Sequence, residues 1–558
     1  MMNRLFHRTL PLGLIVGLAL VTGGCDEDDP SSPGLSVPTG VTVTAISATS
    51  AQVTYNAVSG ATSYIVQRAD GTAGAFATVG TPSATTYDDS GLNPSSTYRY
   101  RVAASSGSNQ SDFSTETSLS TPAEGPKVAT ISTDITADRT LYADTLYTLS
   151  GFIKVANGAT LTIEAGTIIH GDFNTLGSSL FILRGARIRA MGTADAPIVF
   201  TSSRAAGQRQ PGDWGGLIIV GNARINRGDP VILEGTGTGA ANPEVNYAGG
   251  TDDADDSGEL HYVRVEFAGY ATAPDAELNS FTFAAVGSGT EMDHLQALAG
   301  LDDHFEWFGG TADAKYLVSY ESGDDHFDMS EGFSGRLQYL IGYQSKVLIP
   351  RTGAGNVSSD PQGIENDGCA GANCLNGQLS EPFTAPLVAN FTLIGTGPGV
   401  VDATSGGYGM VLRRGTAGIY VNGVVARWPK AALSLRDQAS TGERITDGDL
   451  LIRNVLAADN ASVFQTGQLS VDMAASAIEA DVTTAALIFN SLPADPSAGN
   501  QFDWTPAANS PARSGGMAAF TGAIAARAGS FISGTAFRGA VDPNGAKWWE
   551  NWTSYADN

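Results

Sequence analysis

The sequence predicts an all-β protein: a small β-sandwich followed by a right-handed parallel β-helix. Three observations predict it. Leu301-Asp302-Asp303-His304-Phe305-Glu306 recurs 22 residues later as Gly323-Asp324-Asp325-His326-Phe327-Asp328. His294-Leu295 aligns with Tyr316-Leu317, and Tyr339-Leu340 follows 23 residues on. A period of about 20–25 residues in Gly-rich, β-rich sequence marks a solenoid with one coil per repeat. Second, the large C-terminal part carries period-2 strands and no long helical pattern. Third, residues 37–120 alternate apolar and polar with turn signals about every ten residues, the pattern of a sandwich. A β-propeller is the alternative for the repeats, but 22 residues are too few for a four-stranded blade.

The elements follow in order. Residues 1–25 read as a lipoprotein signal. Arg4, His7 and Arg8 precede an apolar run from Leu10 to Val21, too short to span a membrane. Thr22-Gly23-Gly24-Cys25 resembles the bacterial lipoprotein signal, although that signal usually has an aliphatic residue where Thr22 stands. The resemblance implies lipidation of Cys25 and an exported protein anchored to the cell envelope; the acidic run after Cys25 resembles surface-export signals of some outer-membrane lipoproteins, the placement expected here, and also inner-membrane retention signals of other bacteria. Ordinary secretion is the alternative. Residues 26–36, with Asp26-Glu27-Asp28-Asp29 and then Pro30-Ser31-Ser32-Pro33, read as a tether.

In residues 37–120, Ala61-Thr62-Ser63-Tyr64-Ile65-Val66-Gln67-Arg68 and Leu92-Asn93-Pro94-Ser95-Ser96-Thr97-Tyr98-Arg99-Tyr100-Arg101-Val102 resemble a fibronectin type III module. Tyr98 matches that family's tyrosine-corner position, and Tyr55 stands where the family usually has a core Trp. For function the resemblance implies only a spacer or a binding module.

A linker at residues 121–126 leads into the β-helix, residues 127–558. Its corners are read at Gly166, Gly185 and Gly221. Asn390, Asn422 and Asn454 recur at intervals of 32. Ala196-Pro197-Ile198-Val199-Phe200-Thr201-Ser202, Gly212-Asp213-Trp214-Gly215-Gly216-Leu217, Glu306-Trp307-Phe308-Gly309-Gly310 and Trp548-Trp549-Glu550-Asn551-Trp552-Thr553 resemble surface β-helix proteins of Bacteroidota-like bacteria. More distantly the architecture resembles the pectin-lyase superfamily. Four of the seven Trp fall at or after Trp504, which reads as an aromatic cap on the last coil.

The chemistry is expected where the repeats stack. With Phe305 and Phe327 inside, alternation turns Asp302, His304 and Glu306 outward on one coil, and Asp324, His326 and Asp328 on the next. Oxygen-rich sets suit Ca²⁺, while imidazoles with carboxylates suit Zn²⁺ or Mn²⁺. The plain alternative is that the Asp-Asp pairs cap turns through backbone N–H groups. Asp302, Asp303, His304, Asp324, Asp325 and His326 are also the candidates for catalysis by paired carboxylates. Polygalacturonase-type β-helix enzymes place Asp and His on adjacent coils, but their Gly-His-Gly and Arg-Ile-Lys motifs are absent from this sequence. Gly363-Ile364-Glu365-Asn366-Asp367 leads into the Cys loop and is expected to extend the same face. Arg351, Arg413 and Arg414 are cations that no spacing singles out. The acidic loop Thr251–Glu259 lacks EF-hand register. Gly235–Gly239 reads as a coil corner. Cys369 and Cys374 are expected to close a small disulfide loop.

With 31 Lys and Arg against 57 Asp and Glu, the net charge is -26. That excludes a nucleic-acid partner and suits divalent cations or a solvated acidic surface. Three functions remain open. One is a non-catalytic surface lipoprotein that binds glycan or another surface component. Another is a polysaccharide hydrolase or lyase using the Asp/His face. The third is a purely structural envelope protein.

Overall fold

A computed structural model describes residues 34–125, 127–358, 361–397, 407–481, 488–491 and 502–555. The expected signal, Cys25 and most of the tether lie outside the described residues. The chain divides into two units, residues 1–125 and 126–558.

The first unit is a two-sheet sandwich. Strands Thr42–Ser47, Ser50–Thr54 and Thr86–Ser90 form one sheet; Ala77–Gly80, Ser63–Asp70, Thr97–Ser106, Asn109–Gln110 and Thr117–Ser120 form the other. Alternation along Ser63–Asp70 and Thr97–Ser106 turns Tyr64, Val66, Tyr98, Tyr100 and Val102 into the core. The Tyr98 hydroxyl accepts from the Asn93 N–H at 2.7 Å, the tyrosine-corner contact. Tyr55 fills its place in the core with its ring 4.7 Å from that of Tyr64.

The second unit is a parallel β-helix with three walls. One wall is a nine-stranded sheet running from Phe152–Val155 to Ala431–Leu435. The other two join into a single 17-stranded sheet, because its central strands run unbroken around the corner between them. Each such strand bends at one residue with positive φ: Tyr262, His294, Tyr316, Tyr339 and Asn390. The same corner separates shorter strands at Asn422 and Asn454. The 32-residue Asn interval is thus the spacing of this corner. Asn adopts left-handed geometry at little cost. The Tyr and His residues stack instead, with rings 4.2 to 5.0 Å apart from Tyr262 through His294 and Tyr316 to Tyr339.

The interior is continuous. In nine-stranded-wall register, Phe281, Phe305 and Phe327 stack at 5.0 and 5.4 Å, beside Phe283 and Trp307 at 5.5 Å. Coils pack so closely that Gly323, just before the second motif, has no room for a side chain. An added Cβ would lie 1.9 Å from the Leu301 carbonyl oxygen. Of the expected corner glycines, Gly166 and Gly185 share a left-handed φ of 83°. Gly221 does not; it continues out of strand Gly216–Val220 and pairs with Ala284.

The aromatic tail does not cap the last coil. Phe464, Leu469, Val471 and Met473 pack against the core there. The tail runs as a strap along the flank. Asn454 and Asn422 hold it through the carbonyls of Gly515 and Met517, and Asn390 through Thr535 and Gly539. Gln296 both donates to and accepts from the Ser554 main chain. Trp504, Trp549 and Trp552 are buried against Tyr320, Tyr343 and their neighbours. The strap covers apolar outward rows that would otherwise face water. Replacing Trp552, fully buried, with Ala is expected to cost about 3–5 kcal/mol, read as a lower urea midpoint for the second unit with the first unit unchanged.

Candidate functional site: a carboxylate ladder on the nine-stranded wall

Outward positions on the nine-stranded wall change character along its length. In the early coils Phe181, Ile218, Val220 and Ala284 are apolar, and the inserted hairpin carrying Val231, Leu233, Val245 and Tyr247 covers them. Then Glu306, Asp328 and Glu365 follow one another in register on three successive strands, spaced about 4.8 Å apart. Asp367 stands in the next outward row, opposite Arg413.

The two Asp-Asp pairs lie at the corner leading into these strands, and their members differ. Asp303 Oδ1 accepts from the Asp325 N–H at 2.7 Å, and Asp325 Oδ1 accepts from the Gln362 N–H at 2.6 Å. The second Asp of each pair therefore caps the next coil, as the plain alternative holds. Asp302, Asp324, Glu306 and Asp328 supply further oxygens beside them. Three sets of carboxylates have oxygens within 4.8 Å of one another: Asp302, Asp303 and Asp324; Asp303, Glu306 and Asp328; Asp325, Asp328 and Glu365. Asp303 and Asp328 each belong to two sets.

The histidines do not join them, which corrects the outward placement of His304 and His326. Both are fully buried in the coil interior. His304 Nε2 accepts from the Gly300 N–H at 2.9 Å, so its proton sits on Nδ1, 2.7 Å from Ser319 Oγ. The Ser319 hydroxyl then donates to His326 Nδ1, which leaves the His326 proton on Nε2. Neither ring has a free lone pair for a cation. Burial, with the neighbouring His326, holds His304 well below the usual imidazole range; burial lowers His326 to about 3. The alternation rule fails here because both rings precede their strands, which begin at Phe305 and Phe327.

Burial and mutual repulsion push the carboxyls upward. Glu306 is raised well above the ordinary range by burial and then by Asp328; Asp328 by burial and then by Glu365 and Asp367, against the pull of Arg413. Asp302, Asp303 and Asp325 rise from burial first and their acidic neighbours second. Glu365 is raised to about 8 despite Arg413 and Arg414. Asp328 Oδ1 is buried without a hydrogen-bond partner among the described residues. The Asn279 amide, also buried, donates to Glu306 Oε2 at 2.5 Å and leaves its own Oδ1 unpartnered.

The rim completes the site. Arg413 pairs with Glu365 and, at 2.7 Å, with Asp367; Arg414 also pairs with Asp367. Arg351 lies elsewhere, over Phe173. Arg227 and the Tyr247 hydroxyl both contact Glu331. The expected Cys369–Cys374 disulfide is present, and its loop clasps the hairpin through Gly228 N–H to Asn373 O at 2.8 Å. Asn279, Glu331, Arg227 and Tyr247 escape sequence reasoning. The last two sit on a non-periodic insertion that folds back over the wall. Gly235–Gly239 belongs to that insertion and not to a coil corner. In the acidic loop, Asp253 pairs with Arg224, Asp256 with Arg187 and Glu259 with Arg189. Among the described residues none of these carboxylates joins a set like those on the wall.

A family model for the pectate-lyase-like β-helix domain matches residues 133–503. The chain belongs to the pectate-lyase-like β-helix family. A fibronectin type III model matches residues 36–120 ahead of the family domain. Solved structures similar to this chain include the sixth fibronectin type III domain of human fibronectin type III domain containing protein 3, at 28% identity over 17% of this chain and 92% of that one, TM-score 0.16. Another is the FN5 domain of Drosophila Lar, at 22% identity over 16% and 98%, TM-score 0.15. No curated protein matches the chain in sequence.

The ladder has a pH signature with a definite sign. In the unfolded chain a Glu ionises near 4.3, whereas folded Glu365 ionises near 8. Between these values the folded state holds more protons. Its carboxyl contribution is therefore complete at low pH and is lost as pH rises through the folded value. In chelator, the urea midpoint is expected to fall between about pH 5 and pH 8, and Glu365→Gln is expected to flatten that fall.

Proposed function

We propose that the carboxylate ladder binds divalent cations of the Ca²⁺ class, and that through them this envelope-anchored lipoprotein holds an acidic glycan without cleaving it. The observation that carries the reading is the set of overlapping carboxylate triads with a buried, unpartnered oxygen on Asp328. The donors are all oxygen, which suits Ca²⁺ over Zn²⁺. Asp302, Asp324, Glu306, Asp328 and Glu365 would hold the ion, and it would supply positive charge with open positions for sugar carboxylates. With Arg413 and Arg414 already paired to Glu365 and Asp367, a bound cation would supply the charge that attracts an acidic polymer to this face. The family's name supports a uronate-containing ligand. Binding is favoured over lyase chemistry because Arg413 and Arg414 are tied to Glu365 and Asp367. Cys25 would supply the membrane anchor, with residues 26–36 and the fibronectin module as spacer.

A second reading rests on Glu306 and Asp328, adjacent carboxyls with raised proton affinity. One protonated and one ionised carboxyl at such spacing is the arrangement of a retaining glycosidase.

Millimolar Ca²⁺ is expected to raise the melting temperature by about 3 °C at a hundredfold excess over Kd, and chelator to reverse it. Glu306→Gln with Asp328→Asn should abolish the shift, and with it Ca²⁺-dependent retention on immobilised polygalacturonate. Retention that survives chelator would contradict the cation bridge, and release of reducing ends would favour the hydrolytic reading. Separately, wild type is expected to partition into detergent and Cys25→Ser to stay in the aqueous phase; equal partitioning would overturn the anchor.

A further inference from the structure

The strap covers only part of its flank. From the coil of Arg264 to that of Asn454 it lies on two outward rows of the 17-stranded sheet. Val318, Ile341, Val424 and Leu456 beneath it are buried to within 1%. The same rows continue in register into the earlier coils, as Val199 and Ile168 in line with Arg264, and as Thr201 and His170 beside them. Among the described residues the strap does not extend over them. Ile168 is 43% exposed, and a groove of about 350 Å³ lies over Leu146, Ile168, His170, Val199, Thr201 and Arg209. A second hollow of about 260 Å³ adjoins it at Arg209 and reaches Leu298 and Ile349.

Two features mark this groove as more than a bare apolar strip. Thr201 lines it, and its hydroxyl is buried with no hydrogen-bond partner among the described residues. Such a group costs free energy until something bonds it. Arg209 and Arg264 share the single buried carboxylate of Glu266, at 3.9 and 3.1 Å. Among the described residues these two cations thus face one paired carboxylate, in a protein with a large negative excess.

The strap shows what this surface recognises. It is held as polypeptide, through its main chain: Arg264 donates to the Trp552 carbonyl at 3.0 Å, and Gln296 grips Ser554 on both sides. Apolar side chains fill the spaces between. We propose that the groove continuing the strap's bed docks an extended peptide from a partner, with alternate apolar residues over Ile168 and Val199 and an acidic group toward Arg209. The Thr201 hydroxyl bonds its main chain. The groove lies on a different wall from the carboxylate ladder, so the inference stands apart from the cation reading.

The test uses the full chain and fluorescein-labelled decapeptides of alternating Val and Asp, Val and Lys, or Ser and Asp. The Val-Asp peptide is expected to bind saturably, and the other two at least about tenfold more weakly. Ile168→Glu, at an exposed position that the fold tolerates, should weaken Val-Asp binding about tenfold or more with an unchanged circular dichroism spectrum. Thr201→Val should weaken it several-fold. No saturable binding of the Val-Asp peptide, or equal binding by Ile168→Glu, would overturn the proposal. So would a dimer in sedimentation equilibrium that Ile168→Glu dissociates, because the occupant would then be a second copy of the chain.

Discussion

Everything in the large unit depends on parallel coils stacking in strict register. That constraint makes each outward or inward position a column with a repeat of about 4.8 Å. Inside, it rewards like residues: Phe281, Phe305 and Phe327 stack face to face, and adjacent coils leave no space even for the Cβ that Gly323 lacks. At the corner it aligns Tyr262, His294, Tyr316 and Tyr339 into one pile of rings. Outside, the same rule forces like charges together. Glu306, Asp328 and Glu365 cannot avoid one another, because the register that stacks the phenylalanines also stacks the carboxylates.

The carboxylates of this column differ in what holds them. Asp303 and Asp325 have a structural role, each capping a backbone N–H of the next coil. Glu306 and Asp328 have no comparable one: Glu306 receives one amide, and Asp328 keeps an unpartnered oxygen in a buried place. Without a counter-ion these groups must take up protons, and they do so at the expense of stability at neutral pH. The inserted hairpin and the Cys369–Cys374 loop enclose the face while leaving acidic side chains turned into it. Enclosure strengthens any bound cation's interaction with them. The flank opposite follows another logic. Its apolar rows are covered by the chain's own strap, and bare rows continue beyond it.

Much of this was legible in the sequence, for one reason: a solenoid writes its register as a period. The 22-residue spacing correctly stacked Phe305 on Phe327 and Glu306 on Asp328, and the extension to Glu365 and Asp367 followed the same face. Tyr98 gave away the sandwich through a single hydroxyl contact. What failed was everything outside strand periodicity. His304 and His326 sit one residue before their strands, where alternation has not begun, and they turn inward to Ser319. Arg227 and Tyr247 reach Glu331 from an insertion with no period, and Asn279, though in register with Asp303 and Asp325, carries no Asp-Asp motif to mark it. The tail's tryptophans announced burial but not its place, because a strap along the flank and a cap across the end bury the same rings.

If the column binds Ca²⁺, it is expected to exchange protons for the ion. Calorimetric titration of Ca²⁺ into the full chain at pH 6, in two buffers of different ionisation enthalpy, counts the protons displaced per ion. Release of about one proton or more per bound ion is expected, and Glu306→Gln with Asp328→Asn should abolish it. Ca²⁺ binding with no proton release, or no binding at all, would contradict that expectation.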